Sequence, residues 1–150
     1  MFCSDIIRFM AKKKDKQNNS VQVIIPVNHP NPPEPHEVDA AMVLAHHYQS
    51  SVEFLIPVDD YKRKTADIIM LGAEWELKCP FGASKATIEN MFRRASQQAR
   101  RIIMDTRHTA LEYETIKKKV LFELKVRPSM KKVQKVLLIN KLGKIVEIKK

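Results

Sequence analysis

Apolar and polar positions repeat with two periods along this chain, and the changes of period mark out its elements. Residues 68–71 are strand formers, and beyond Gly72-Ala73 the residues Trp75, Leu77 and Cys79 alternate with Glu74, Glu76 and Lys78. Period-two alternation beside a two-residue, glycine-containing turn predicts a β-hairpin with Gly72 and Ala73 as its loop. Upstream, Val52, Phe54 and Ile56 read as a core strand, and residues 21–27 as an edge strand. Three-to-four spacing predicts helices at Val38, Ala41, Met42, Ala45 and Tyr48, at Ile88, Met91, Phe92, Ala95 and Ala99, and at Tyr113, Ile116, Val120 and Leu124. Lys117, Lys118 and Lys119 are expected to point outward from the last helix, and Ser84 is placed to cap the second. Residues 102–105 predict a further strand, and residues 133–139 and 145–148 a closing hairpin around 141–144. The order helix, strand, hairpin, helix, strand, helix, hairpin predicts an α/β (α+β) fold. Its mixed central sheet would be flanked by helices and end in a C-terminal hairpin.

Residues 1–20 carry little core pattern, residues 12–20 are polar throughout, and five prolines fall between Pro26 and Pro35. Proline on that scale excludes helix and central strand. The sequence therefore predicts a flexible, basic and Pro-rich arm over residues 1–35 and a working domain over 36–150. Met10 would serve as a start, leaving the first nine residues outside that domain.

Charge narrows the function. The chain carries a net +10 with pI ≈ 9.7, an excess that attracts nucleic acid first and anionic surfaces second. Cys3 and Cys79 lie far apart without metal-ligand spacing, which argues against a disulfide framework or a zinc site. No apolar run approaches a membrane span and no signal-peptide pattern opens the chain, so no membrane insertion and a cytoplasmic location are expected.

The candidate chemistry follows from hairpin register. With Gly72 and Ala73 as the loop, Leu71 faces Glu74, Ile69 faces Glu76 and Asp67 faces Lys78. Asp67, Glu76 and Lys78 then share one face, with the carboxylates roughly 7 Å apart between backbones. Two hard oxygen ligands and an ammonium suit metal-assisted phosphodiester hydrolysis; charged residues on an open strand face are, equally, often only solvated. On the second helix Gln98 falls on the buried side and Gln97 is turned away by about 100°. Arg93, Arg94, Arg100 and Arg101 around that helix, with Lys85 at its start, form a candidate phosphate-binding surface.

The segments Lys64-Thr65-Ala66-Asp67, Trp75-Glu76-Leu77-Lys78-Cys79-Pro80, Ala95-Ser96-Gln97-Gln98-Ala99 and Ile102-Ile103-Met104-Asp105 resemble the PD-(D/E)XK nuclease superfamily. More narrowly they resemble the tRNA-nuclease domains at the C-termini of CdiA-type contact-dependent inhibition toxins. The likeness runs over roughly residues 36–148, with Ala66 where a proline usually precedes the Asp. It implies a restriction-endonuclease-like core and a metal-dependent endonuclease. Asp67, Glu76 and the Leu77 carbonyl would hold Mg²⁺ or Mn²⁺, and Lys78 would orient or activate the attacking water. Glu37 matches an accessory acid, although a charge complementing its own helix N-terminus explains it as well. Gln98 would position the nucleophile or a phosphate, or else be satisfied by backbone. RNA, and tRNA in particular, is favoured over DNA on resemblance alone, and a cognate inhibitor or immunity protein is an implied partner. The alternatives are a DNA nuclease on the same fold and a non-catalytic basic nucleic-acid-binding protein.

Overall fold

The structure, a computed structural model, describes residues 6–10, 21–58 and 65–148. Cys3, the basic run at 12–20, the charged loop at 59–63 and Lys64 lie outside the described residues. The chain forms two compact units, Met1–Glu74 and Trp75–Lys150, and its class is mixed α/β.

In the first unit, strands β1 (Ile6–Met10), β2 (Gln22–Pro26), β3 (Val52–Phe54) and β4 (Ile68–Met70) lie side by side in chain order. β1 runs antiparallel to β2, β2 parallel to β3, and β3 antiparallel to β4. The register puts Val23 beside Val52, Val52 opposite Met70 and Phe54 opposite Ile68, all buried. Helix α1 (Pro35–Tyr48) supplies Ala40, Ala41, Leu44 and Ala45 to the core. Its buried face differs from the expected one: Val38, Met42 and Tyr48 are half-buried. Residues 40–45 are apolar without a break, so spacing alone does not choose a face, and small alanines allow close approach. Ile6–Met10, expected in the arm, is a strand because β2 offers it a full ladder. The Pro-rich stretch ends with Pro35 as the first helical residue, a position that needs no N–H donor.

The turn after β4 corrects the expected hairpin. Leu71 and Gly72 carry positive φ of 54° and 72°, and Ala73 already opens strand β5 (Ala73–Lys78). Positive φ at both central positions is the type I′ signature of a two-residue loop. The two-residue loop is therefore Leu71-Gly72 in place of the expected Gly72-Ala73, on which the expected oppositions of Leu71 with Glu74, Ile69 with Glu76 and Asp67 with Lys78 are counted.

In the second unit β5, β6 (Arg101–Asp105) and β7 (Lys135–Ile139) are parallel, and β8 (Ile145–Ile148) returns antiparallel. Helices α2 (Lys85–Gln98) and α3 (Tyr113–Val126) connect the parallel strands. Ser84 caps α2, its hydroxyl accepting from the Ala86 N–H at 3.1 Å. The core joins Ile88, Phe92 and Ala95 of α2, Ile116 and Val120 of α3, and Ile102, Met104, Val136, Leu138 and Ile148 of the strands. Ala99 falls beyond the end of α2 in extended backbone, and Ser96 is buried in its stead. Lys119 is not an outward lysine: it pairs with Glu89 at 3.1 Å and Glu123 at 3.6 Å. Among the described residues no helix is long and apolar enough to cross a membrane.

Candidate functional site

β5 is the centre of the candidate chemistry. Trp75 and Leu77 are buried, as core positions of an alternating strand should be. Glu76 is buried as well, at 0% exposure, so the second face of this strand is not an open, solvated one. Parallel pairing sets Glu76 beside Ile102 and Lys78 beside Met104, the strand face that belongs to the core with α2 and α3. Glu76 and Lys78, two residues apart, share that face, and Lys78 Nζ lies 2.5 Å from Glu76 Oε1. A carboxylate withdrawn from water needs a counter-charge, and the ammonium of Lys78, itself 23% exposed, supplies it. Leu77 is level with Ile103 on the next strand. Gln98, the last residue of α2, is half-buried and Gln97 exposed, in agreement with the helical phase read from the sequence.

Asp67 belongs to the first unit. It heads β4, is half-buried, and its carbonyl accepts from the Leu55 N–H at 2.9 Å, extending the ladder with β3. Counting by twos, Asp67 and Ile69 point to the face opposite Ala66, Ile68 and Met70. Glu53, opposite Ile69 in register, shares their face. A cavity of ≈ 180 Å³ within this unit is lined by Asp67, Thr65, Leu55, His29, Pro33 and Glu37 among others. Glu37 reaches it from α1 but is already engaged, since its Oε2 accepts from the Glu34 N–H at 2.7 Å in a reciprocal capping box. Of its two sequence readings, the helix-terminal one has a visible contact.

Among the described residues no group of three or more His, Cys, Asp or Glu is arranged to hold a metal. His46 and His47 are exposed on α1, and His47 meets Tyr48 edge-on.

The basic residues divide. Arg94, Arg100 and Lys85 are exposed, and Arg101 is half-buried at the start of β6. Arg93 is instead paired with Glu89, which also receives Lys119 and, at 2.6 Å, Arg127. Hydrogen bonding from Lys119 and the nearby Arg93 hold the Glu89 carboxyl below its ordinary value, against the opposing effect of desolvation. The same network carries Arg127 to Glu123, a glutamate 1% exposed, and raises the Arg127 guanidinium through its bond to Glu123. Asp105, at the end of β6, caps the loop that follows: fully buried, it accepts from the Arg107 N–H at 3.1 Å and from Nε and Nη2 at 2.9 and 2.8 Å.

Two contacts had no signal in the sequence. His29, inside the Pro-rich stretch, bonds the Leu55 carbonyl at 2.9 Å, across 26 residues. Phe81 stacks on His108 with centroids 5.1 Å apart.

The second unit carries its E-x-K sequence on a strand that feeds into a helix. The chain belongs to the family described as the contact-dependent growth inhibition CdiA C-terminal domain, which matches residues 64–145. Its fold is similar to one chain of the CdiA-CT/CdiI toxin and immunity complex from Burkholderia pseudomallei. The TM-score is 0.58, and 22% identity extends over 77% of this chain and 83% of that one. No curated protein matches the chain.

Proposed function

We propose that this toxin domain is a metal-dependent nuclease of the PD-(D/E)XK type, acting on RNA, with tRNA the favoured substrate. The observation that carries the reading is the buried Glu76 with Lys78 on its own strand, two residues on and 2.5 Å away. A buried carboxylate beside an ammonium on its own strand brings together a hard oxygen ligand and a charge that can orient water or phosphate. In this reading Asp67, Glu76 and the Leu77 carbonyl hold Mg²⁺ or Mn²⁺.

A divalent ion bound there acidifies a water and polarises the phosphoryl oxygen. The protein supplies the rest. Lys78 brings a positive charge on the same strand face to orient the attacking water or to stabilise charge gathering on the phosphate. Gln98, at the edge of the buried face of α2, serves as a positioning donor. Arg94, Arg100, Arg101 and Lys85 steer and hold the backbone of the polyanion. The complex whose fold this chain resembles pairs a toxin with an immunity protein, and an acidic inhibitory partner fits a chain of net +10.

The test is incubation of purified protein with total RNA and with plasmid DNA, with and without Mg²⁺. Cleavage of RNA that EDTA abolishes is expected, and Asp67→Asn and Glu76→Gln should each remove it while circular dichroism stays unchanged. Undiminished cleavage by both variants would refute the site. Salt-sensitive binding without any metal-dependent product would favour a non-catalytic nucleic-acid-binding domain, and DNA cut in preference to RNA would move the substrate.

A further inference from the structure

The carboxyl-terminal ends of β5 and β6 carry a second feature. Phe81 lies three residues beyond Lys78, the last of β5, and His108 three beyond Asp105, the last of β6. Their rings stack at 5.1 Å between centroids and 24° between planes, yet Phe81 remains 56% exposed. The loops that carry them are pinned. Thr109 Oγ1 donates to the Gly82 carbonyl, tying one loop to the other. Lys141 Nζ donates to the carbonyls of Thr106, at 2.5 Å, and of Thr109. His108 Nε2 lies 3.7 Å from the buried Asp105 carboxylate, which orients the imidazole. Residues 79–85, 106–111 and 140–144 include Lys85, Arg107, Lys141 and Lys144 and no Asp or Glu.

A fixed aromatic pair, exposed at Phe81 and carried on loops whose own charged residues are all basic, suits a flat ring attached to a phosphate. We propose that Phe81 and His108 form a stacking platform for one unpaired nucleobase of the nucleic acid this domain binds, a reading that rests on the proposed function. The outside of parallel strand ends is where α/β sheets receive ligands, and base–aromatic stacking tolerates any base while requiring it to be unpaired. The position, three residues past Lys78, would hold a base beside the scissile region and select single-stranded over paired substrate.

The experiment holds the whole chain in EDTA, so that binding is read without cleavage, and follows fluorescence anisotropy of labelled RNA. The probes are a single-stranded oligonucleotide, the same strand with abasic sites, and a duplex. Phe81→Ala should weaken single-strand binding about tenfold, and His108→Ala should weaken it less. Phe81→Tyr and Phe122→Ala, the latter an exposed ring on α3, should stay within about twofold. Wild type and Phe81→Ala should bind the abasic strand alike, which also shows that the variant is folded. Equal affinity of wild type and Phe81→Ala for the intact strand overturns the platform, as does an equal loss on the abasic strand. Phe81-dependent binding without Mg²⁺-dependent cleavage would keep the platform and remove the nuclease reading. Cleavage without Phe81 dependence would do the reverse.

Discussion

Replacing Lys78 by Met isolates the energetics of the buried carboxylate. Met keeps most of the apolar stem, which packs as the lysine methylenes do, and removes only the ammonium 2.5 Å from Glu76 Oε1. Removing one partner of a buried ion pair costs about 3–5 kcal/mol, because the other charge stays buried without it. Lys78 is 23% exposed, so water screens part of its charge and the low end, about 3 kcal/mol, applies. With a urea m-value of about 2 kcal/mol/M, the unfolding midpoint should fall by about 1.5 M. Adding Glu76→Gln to Lys78→Met removes the stranded charge and should restore about 2 kcal/mol of the loss, a coupling that a double-mutant cycle reads directly. Urea denaturation of the four proteins at pH 7, followed by Trp75 fluorescence, makes the measurement. A Lys78→Met protein within about 0.5 kcal/mol of wild type would show that Glu76 does not depend on this lysine, and the argument for a cation-seeking carboxylate would go with it.

The remaining expectations are briefer. Leu71 occupies the left-handed region at φ 54° and is 55% exposed, so Leu71→Asn should stabilise the protein by about 0.5–1 kcal/mol in thermal melts. Glu89 has a folded carboxyl held below its ordinary 4.5 by Lys119 and Arg93. Its contribution is fully present above that value and is lost as pH falls through the lower folded one, so Glu89→Gln should flatten the acid limb of the stability profile. If Asp67 and Glu76 hold Mg²⁺, a tenfold excess over Kd should stabilise wild type by about 1.4 kcal/mol, a rise of roughly 3–6 °C in Tm. Glu76→Gln should lose that rise.

How much of this was legible in the sequence varies by residue. The alternation after Gly72 announced a strand, and Ser84 before an apolar stripe announced a cap; both are local signals and both stand. The turn did not yield to the same logic, because Leu71 adopts a positive φ that its side chain disfavours. The face of α1 was unreadable where six apolar residues run together at 40–45. Glu76 read as an outward charge by period, and its burial arises from parallel pairing with β6 and from packing that no single segment encodes. Glu37 offered two roles, and only three-dimensional reach to the Glu34 N–H distinguished the capping one. His29 to Leu55 and Phe81 to His108 join residues 26 and 27 apart, a separation over which spacing carries no information.

The His29 contact has a further consequence. Its Nδ1 accepts the Asn31 N–H at 3.2 Å while Nε2 meets the Leu55 carbonyl at 2.9 Å. An acceptor at Nδ1 and a carbonyl facing Nε2 are satisfied together by one state of the ring, neutral with its proton on Nε2. The Pro-rich segment is thus latched to β3 through a single tautomer. The imidazole nitrogen shifts of His29 in an NMR spectrum, read over the whole population, would report how fully the wall of the Asp67 cavity is fastened.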